Sequence, residues 1–121
     1  MKKIDDLIEE LYSLNEKNAV WAAEEEVALP TDNVIESTRQ LIEMIMPKLF
    51  IPERLTISIE EGICLEFIHS FKRMYVELYN NGEIGYITVN WTTTDILENK
   101  SVNNVTEMFN VIKEFYTSLD E

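Results

Sequence analysis

Cys64 and His69 are the one cysteine and the one histidine of this chain. A thiol beside an imidazole is the least equipment that makes a nucleophile and its general base. Their spacing works against the pairing. Side chains alternate along a strand, so residues an odd number apart point to opposite faces, unless His69 already lies in a turn. A packed thiol and a loop histidine are the simpler reading. Asp95, Glu98 and Lys100 stand in the Asp…Glu-x-Lys order of a metal-dependent nuclease centre. They occupy a link before a helix, however, without the partner strand such centres use, and read as a solvated loop. Glu24-Glu25-Glu26 lacks the alternating Asp pattern and glycine of a calcium loop. Asp5/Glu9 and Asp6/Glu10 are like-charged pairs one helical turn apart, mildly unfavourable in an isolated helix. No catalytic, cofactor-binding or metal-ligating residue is expected, and no cofactor.

The charge is more informative. Against 10 basic residues stand 23 acidic ones, a net of −13. A field of that sign repels phosphate backbones and anionic lipid, so neither nucleic acid nor membrane is an expected partner. It suits a basic protein, or solubility alone. The N-terminal MKKIDDLIEEL has no uninterrupted apolar core for an export signal, and no run approaches the roughly 18 apolar residues of a membrane span. A cytoplasmic location follows as an expectation.

The elements that must position these side chains come from periodicity. Ile4, Leu7, Ile8, Leu11 and Leu14 share one helix face, giving a helix at about 3–17. Residues 18–29 lack such a stripe and read as a connector with room for a short helical turn. Thr31 caps a second helix, marked by Val34, Ile35, Thr38, Leu41, Ile42 and Ile45 and ended by Pro47. The period then changes to two, giving strands near 54–60, 62–69, 72–80 and 83–91. Val105, Met108, Phe109, Ile112, Phe115, Tyr116 and Leu119 place a last helix at 102–119, with Ser101 as its cap. The expectation for residues 1–121 is one α+β domain: a four-stranded antiparallel meander covered by helices, order α-α-β-β-β-β-α.

Asn80-Asn81-Gly82 between two alternating runs is a hairpin signal, not a phosphate cradle, because it joins strand to strand with a lone glycine. A two-residue turn pairs Glu77 with Tyr86 and gathers Tyr75, Tyr79 and Tyr86 on the face away from the helices, with Glu66 and Glu77 beside them. A three-residue loop with a bulge at Gly82 moves the fourth-strand residues to the other face, while Tyr75, Glu77 and Tyr79 stay together. This tyrosine-rich, acid-edged face is the candidate partner surface: Glu66, Tyr75, Glu77, Tyr79 and Tyr86. Asp5, Asp6, Glu9 and Glu10 on the first helix form a secondary acidic patch.

Trp21, then Leu29-Pro30-Thr31 opening a helix, Pro52, GICLEF and NNGEIGYI together resemble a pattern in small uncharacterised bacterial proteins. Their strands read roughly Gly-x-x-Leu-Glu-Trp and, after a turn, Asp-Gly-x-Ile-x-Tyr. Phe67 stands here for the tryptophan and Asn81 for the aspartate. The resemblance covers fold-making positions over 21–90 and implies no activity. A broader likeness is to small acidic proteins that neutralise or escort another protein, such as immunity proteins, antitoxins and type III secretion chaperones. The expected function is therefore a non-enzymatic module neutralising a basic protein, acting as a monomer or homodimer. A secretion-type chaperone is the first alternative; a small enzyme, or enzyme subunit, with a carboxylate site is the second.

Overall fold

A computed structural model describes residues 3–117. Three helices come first: α1 (Ile4–Tyr12), α2 (Leu14–Glu25) and α3 (Asp32–Ile45), the last running into a 3-10 turn at Met46–Lys48. Five strands follow, β1 (Arg54–Ser58), β2 (Gly62–His69), β3 (Lys72–Tyr79), β4 (Ile84–Asn90) and β5 (Asp95–Val102), and α4 (Val105–Thr117) closes the order. The strands form one antiparallel sheet in sequence order, β1-β2-β3-β4-β5. Among the described residues no helix is long and apolar enough to cross a membrane.

The core is a single layer between helices and sheet. Leu7 and Leu11 of α1, Leu41, Ile42 and Ile45 of α3, and Met108, Ile112 and Phe115 of α4 meet Ile63, Leu65, Phe67, Met74, Val76 and Leu78 in one cluster. Period-two burial runs through β2, β3 and β4, as alternation with one packed face requires. Thr31 caps α3 as expected, its hydroxyl accepting from the Val34 N–H at 3.3 Å.

Four expectations need correction. The sheet has five strands, not four, because residues 95–102 pair with β4 instead of forming a link. With that strand in place Ser101 cannot cap the last helix. Asn104 does so, its side-chain oxygen accepting from the Glu107 N–H at 2.9 Å. The connector 18–29 is mostly helix. Ser13 breaks the expected first helix in two, its hydroxyl donating to the Glu10 carbonyl at 3.0 Å. The second piece, α2, buries only Leu14 and Ala22, which is why it shows no stripe. It stops at Glu26, held in the left-handed region at φ 56°, with the Val27 N–H returning to the Ala22 carbonyl at 2.9 Å. Leu119, Asp120 and Glu121 lie outside the described residues.

The hairpin register, open between two turns, takes the bulged one. The Gly82 N–H donates to the Tyr79 carbonyl at 2.9 Å and the Tyr79 N–H to the Glu83 carbonyl at 2.8 Å. Gly82 has φ +94°, so the turn carries a glycine bulge and Leu78 pairs with Ile84, not Tyr79. That shift places Tyr86 opposite Val76 on the helix side, where it is 5% exposed. Tyr86 therefore leaves the candidate partner surface.

Ile112 is fully buried, whereas Phe109 packs only at the cluster's margin. Ile112→Ala should cost about 2–5 kcal/mol and Phe109→Ala distinctly less, read from urea unfolding midpoints at constant slope. A smaller loss at Ile112 than at Phe109 would reverse this placement of α4.

Candidate functional site

Among the described residues no helix layer covers the second face of the sheet. Cys64, Glu66, Ile68, Arg73, Tyr75, Glu77, Tyr79, Gly85, Ile87 and Val89 point away from the core, and each is half-buried by its neighbours only. Backbone register arranges them in rows. Cys64, Glu77, Gly85 and Ser101 form one; Glu66, Tyr75, Ile87 and Asn99 form the next. Side chains in such rows touch across the strands, so the face is a preassembled surface and not a set of independent residues.

Tyr75, Tyr79, Glu66 and Glu77 are together here, as expected whichever turn formed. Tyr79 leans over Gly85, where an added Cβ would lie 3.9 Å from its ring. Tyr75, Glu77, Tyr79 and Gly85, with Ile87 and Asn99, border a shallow hollow of about 300 Å³. Burial first, and then the charges of Glu77 and Glu60, push the Tyr79 phenol above its ordinary pKa.

Both acids of this face have partners within the chain. The Glu66 carboxylate lies 3.5 Å from the Arg73 guanidinium, and Glu77 accepts from the Ser58 hydroxyl at 2.7 Å. The acid edge comes instead from the turns at one end. Glu60, Glu61 and Glu83 gather there around Tyr79 and Asn80, all three exposed. At the opposite end Arg73 stacks on Trp91, its Cζ 5.1 Å from the ring, and the Trp91 indole donates to the Ser70 carbonyl at 3.4 Å. The Arg73 Nε–H is buried and makes no hydrogen bond among the described residues.

Arg73, Trp91 and Ile87 were missed by periodicity. Arg73 and Trp91 fall within the expected strands at 72–80 and 83–91, but only the register brings Arg73 beside Glu66. The signal available was compositional: Arg, Trp and Tyr near one another on strands is what interface centres favour.

The secondary acidic patch is elsewhere. Asp5, Asp6 and Glu9 are exposed on α1 and Glu10 half-buried, in the helix layer and so across the sheet from Tyr75. The Asp6 carboxylate accepts the Lys3 N–H at 3.4 Å, which anchors the start of α1.

Cys64 and His69 diverge. Cys64 belongs to the outer face, while the His69 ring packs with Phe115 at 6.1 Å and Tyr116 at 5.2 Å on the helix side. Burial, reinforced by Glu77 and Glu66, pushes the Cys64 thiol up to about 12. That is the reverse of nucleophile activation. Asp95, Glu98 and Lys100 sit on β5, where Glu98 and Lys100 approach to 3.3 Å. Among the described residues no group of three His, Cys, Asp or Glu side chains is placed to hold a metal ion.

At pH 8 the folded chain should react with a disulfide reagent at least ~100-fold more slowly than the denatured chain, because the thiolate is the reacting form. The same shift sets a sign for stability. A thiol pKa raised on folding favours the native state below its unfolded value, and that contribution is lost as pH climbs from about 9 towards 12. Comparable rates in the two states would refute the protected thiol.

No family model, curated protein or solved structure matches this chain. What it does has to be read from its own surface.

Proposed function

We propose that this chain is a non-enzymatic module that binds and neutralises a basic protein, of the immunity, antitoxin or inhibitor kind. The partner docks on the uncovered face of the sheet. The observation that carries this is the composition of that face. Tyr75, Tyr79, Arg73 and Trp91 are held in place by neighbouring strands, with Ile87 and Val89 between them. Rings and a stacked guanidinium fixed in this way lose little freedom on binding and supply large contact areas, the properties of interface anchors.

The acids have a different role from the one their number alone indicates. Glu66 and Glu77, already engaged with Arg73 and Ser58, orient the face more than they attract across it. Attraction comes from Glu60, Glu61 and Glu83 at its edge and from the net charge of −13 acting at a distance. Divergence of Cys64 and His69 supports the non-enzymatic side of the reading, since neither can serve the other.

The test begins with the partner captured from the host and continues as kinetics. Tyr75→Ala with Tyr79→Ala should raise the off-rate at least ~10-fold, while Glu9→Lys with Glu10→Lys should chiefly lower the on-rate. The on-rate should also fall steeply as salt shortens the Debye length towards about 8 Å. A partner that ignores both tyrosine changes, or binds independently of salt, does not use this surface.

A further inference from the structure

The two edges of the sheet are not alike. At the β1 edge α2 lies alongside, and its Leu14 and Trp21 border a hollow with Leu55 and Ile57. That strand is five residues long and buries Leu55 and Ser58. At the other edge β5 runs for eight residues without proline or glycine, and every residue from Asp95 to Ser101 is exposed. Such an edge offers a row of backbone N–H and C=O groups to a further strand unless its side chains forbid the approach. Charge is the usual means, and β5 carries Asp95, Glu98 and Lys100. Those charges decide which strand it admits.

Glu98 and Lys100 stand on the helix side, opposite Thr88 and Tyr86. Their charged groups approach to 3.3 Å, yet the side chains remain 43% and 65% exposed. Each therefore has a partner along its own strand and keeps its outward side open to a second opposite charge. A complementary strand carries a cation and an anion two positions apart on one face, in the reverse order. An antiparallel copy of β5 meets that requirement.

We infer that β5 pairs with β5 of a second copy, antiparallel, about a two-fold axis through Asn99. Such an axis stands normal to the sheet, and residues directly opposite one another share a face. A centre at Glu98 or at Lys100 sets that charge against its own copy, which is destabilising across adjacent strands. A centre at Leu97 leaves Glu98 facing Ile96. Centred on Asn99, Glu98 faces the second copy's Lys100 and Lys100 faces its Glu98. The four charges then close into an alternating ring. A lone exposed pair contributes little, whereas a network of several charges contributes more. The two-fold axis puts both helix layers on the same side of the sheet. They have room there, because a groove of about 410 Å³ separates α4 from β5 in each copy.

The paired segment is short and falls below the standard interface of about 1,600 Å², so the dimer is weak and concentration-dependent. The net charge of −13 on each copy opposes association at a distance. Salt screens that long-range repulsion more than it screens charges in contact. The outer face with Tyr75 and Tyr79 stays open in the dimer, so the inference stands independently of the partner proposed for that face.

The test is sedimentation equilibrium of the full chain at physiological salt, up to about 1 mM, where a millimolar Kd leaves half the chains paired. The chain should show a monomer–dimer equilibrium. Glu98→Lys alone and Lys100→Glu alone should each weaken it at least ~10-fold, since each sets like charges opposite one another. An equimolar mixture of the two variants should pair again, because each supplies the charge that the other lacks. Both positions are exposed, and circular dichroism should show both variants folded. In a Cys64→Ser background, Asn99→Cys should cross-link copies under copper–phenanthroline at least ~10-fold faster than Ser101→Cys, because only position 99 meets its own copy at disulfide distance. That comparison leaves Glu98 and Lys100 in place, so it decides the register even where a charge variant misfolds. A wild-type chain that stays monomeric at the highest concentration overturns the inference. A mixture no better paired than the single variants, or equal cross-linking at 99 and 101, overturns it as well.

Discussion

Gly82 at φ +94° decides what each face of this sheet presents. A glycine takes that conformation at no steric cost, and with it the turn at Tyr79–Gly82 acquires a bulge instead of closing in two residues. Leu78 then pairs with Ile84, and every side chain of β4 is assigned a face. Because β5 pairs with β4, the assignment propagates to the edge strand: Tyr86 turns inward, Ile87 outward, and Glu98 joins Thr88 on the helix side. A one-residue slip would exchange both surfaces at once.

The same hairpin end is tied to the helices by a short polar bracket. The Asn80 amide donates to the Leu29 carbonyl at 3.1 Å and accepts from the Thr31 N–H at 3.1 Å. Its own N–H reaches the Glu61 carbonyl at 2.8 Å, and Glu61 accepts from Ala28 at 3.2 Å. One asparagine thus joins the α2–α3 connection, the β1–β2 turn and the β3–β4 turn. Backbone groups in these loops would otherwise depend on water, so the bracket sets where α3 starts relative to the sheet.

Confinement of the helix layer to one side gives the molecule two unlike surfaces made from the same strands. Outward, rings and an arginine are braced by cross-strand neighbours and bordered by exposed acids. Inward, the helix layer stops short of β5 and leaves a groove where carboxylates and an unsatisfied hydroxyl converge. Both arise because five strands are wider than the helices that cover them. The excess of acids is therefore not one patch but several, each with its own neighbours.

Local periodicity determined α3, most of α4, the four strands β1 to β4 and their antiparallel order, because each buries one face and burial leaves a repeat of 3.6 or 2. It also determined that Cys64 and His69 diverge and that Tyr75, Glu77 and Tyr79 stay together, since both follow from alternation within a strand. Tertiary structure alone decided the rest. α2 buries too little to show a stripe, and β5 is exposed on both faces, so its pairing with β4 through backbone groups leaves no side-chain signature. Which way Tyr86 points rests on the φ of Gly82, for which two turns were compatible with the same residues. The pairing of Glu66 with Arg73, and the meeting of Glu98, Glu114 and Thr88, join residues on different elements. Only the register and the position of α4 bring them within reach.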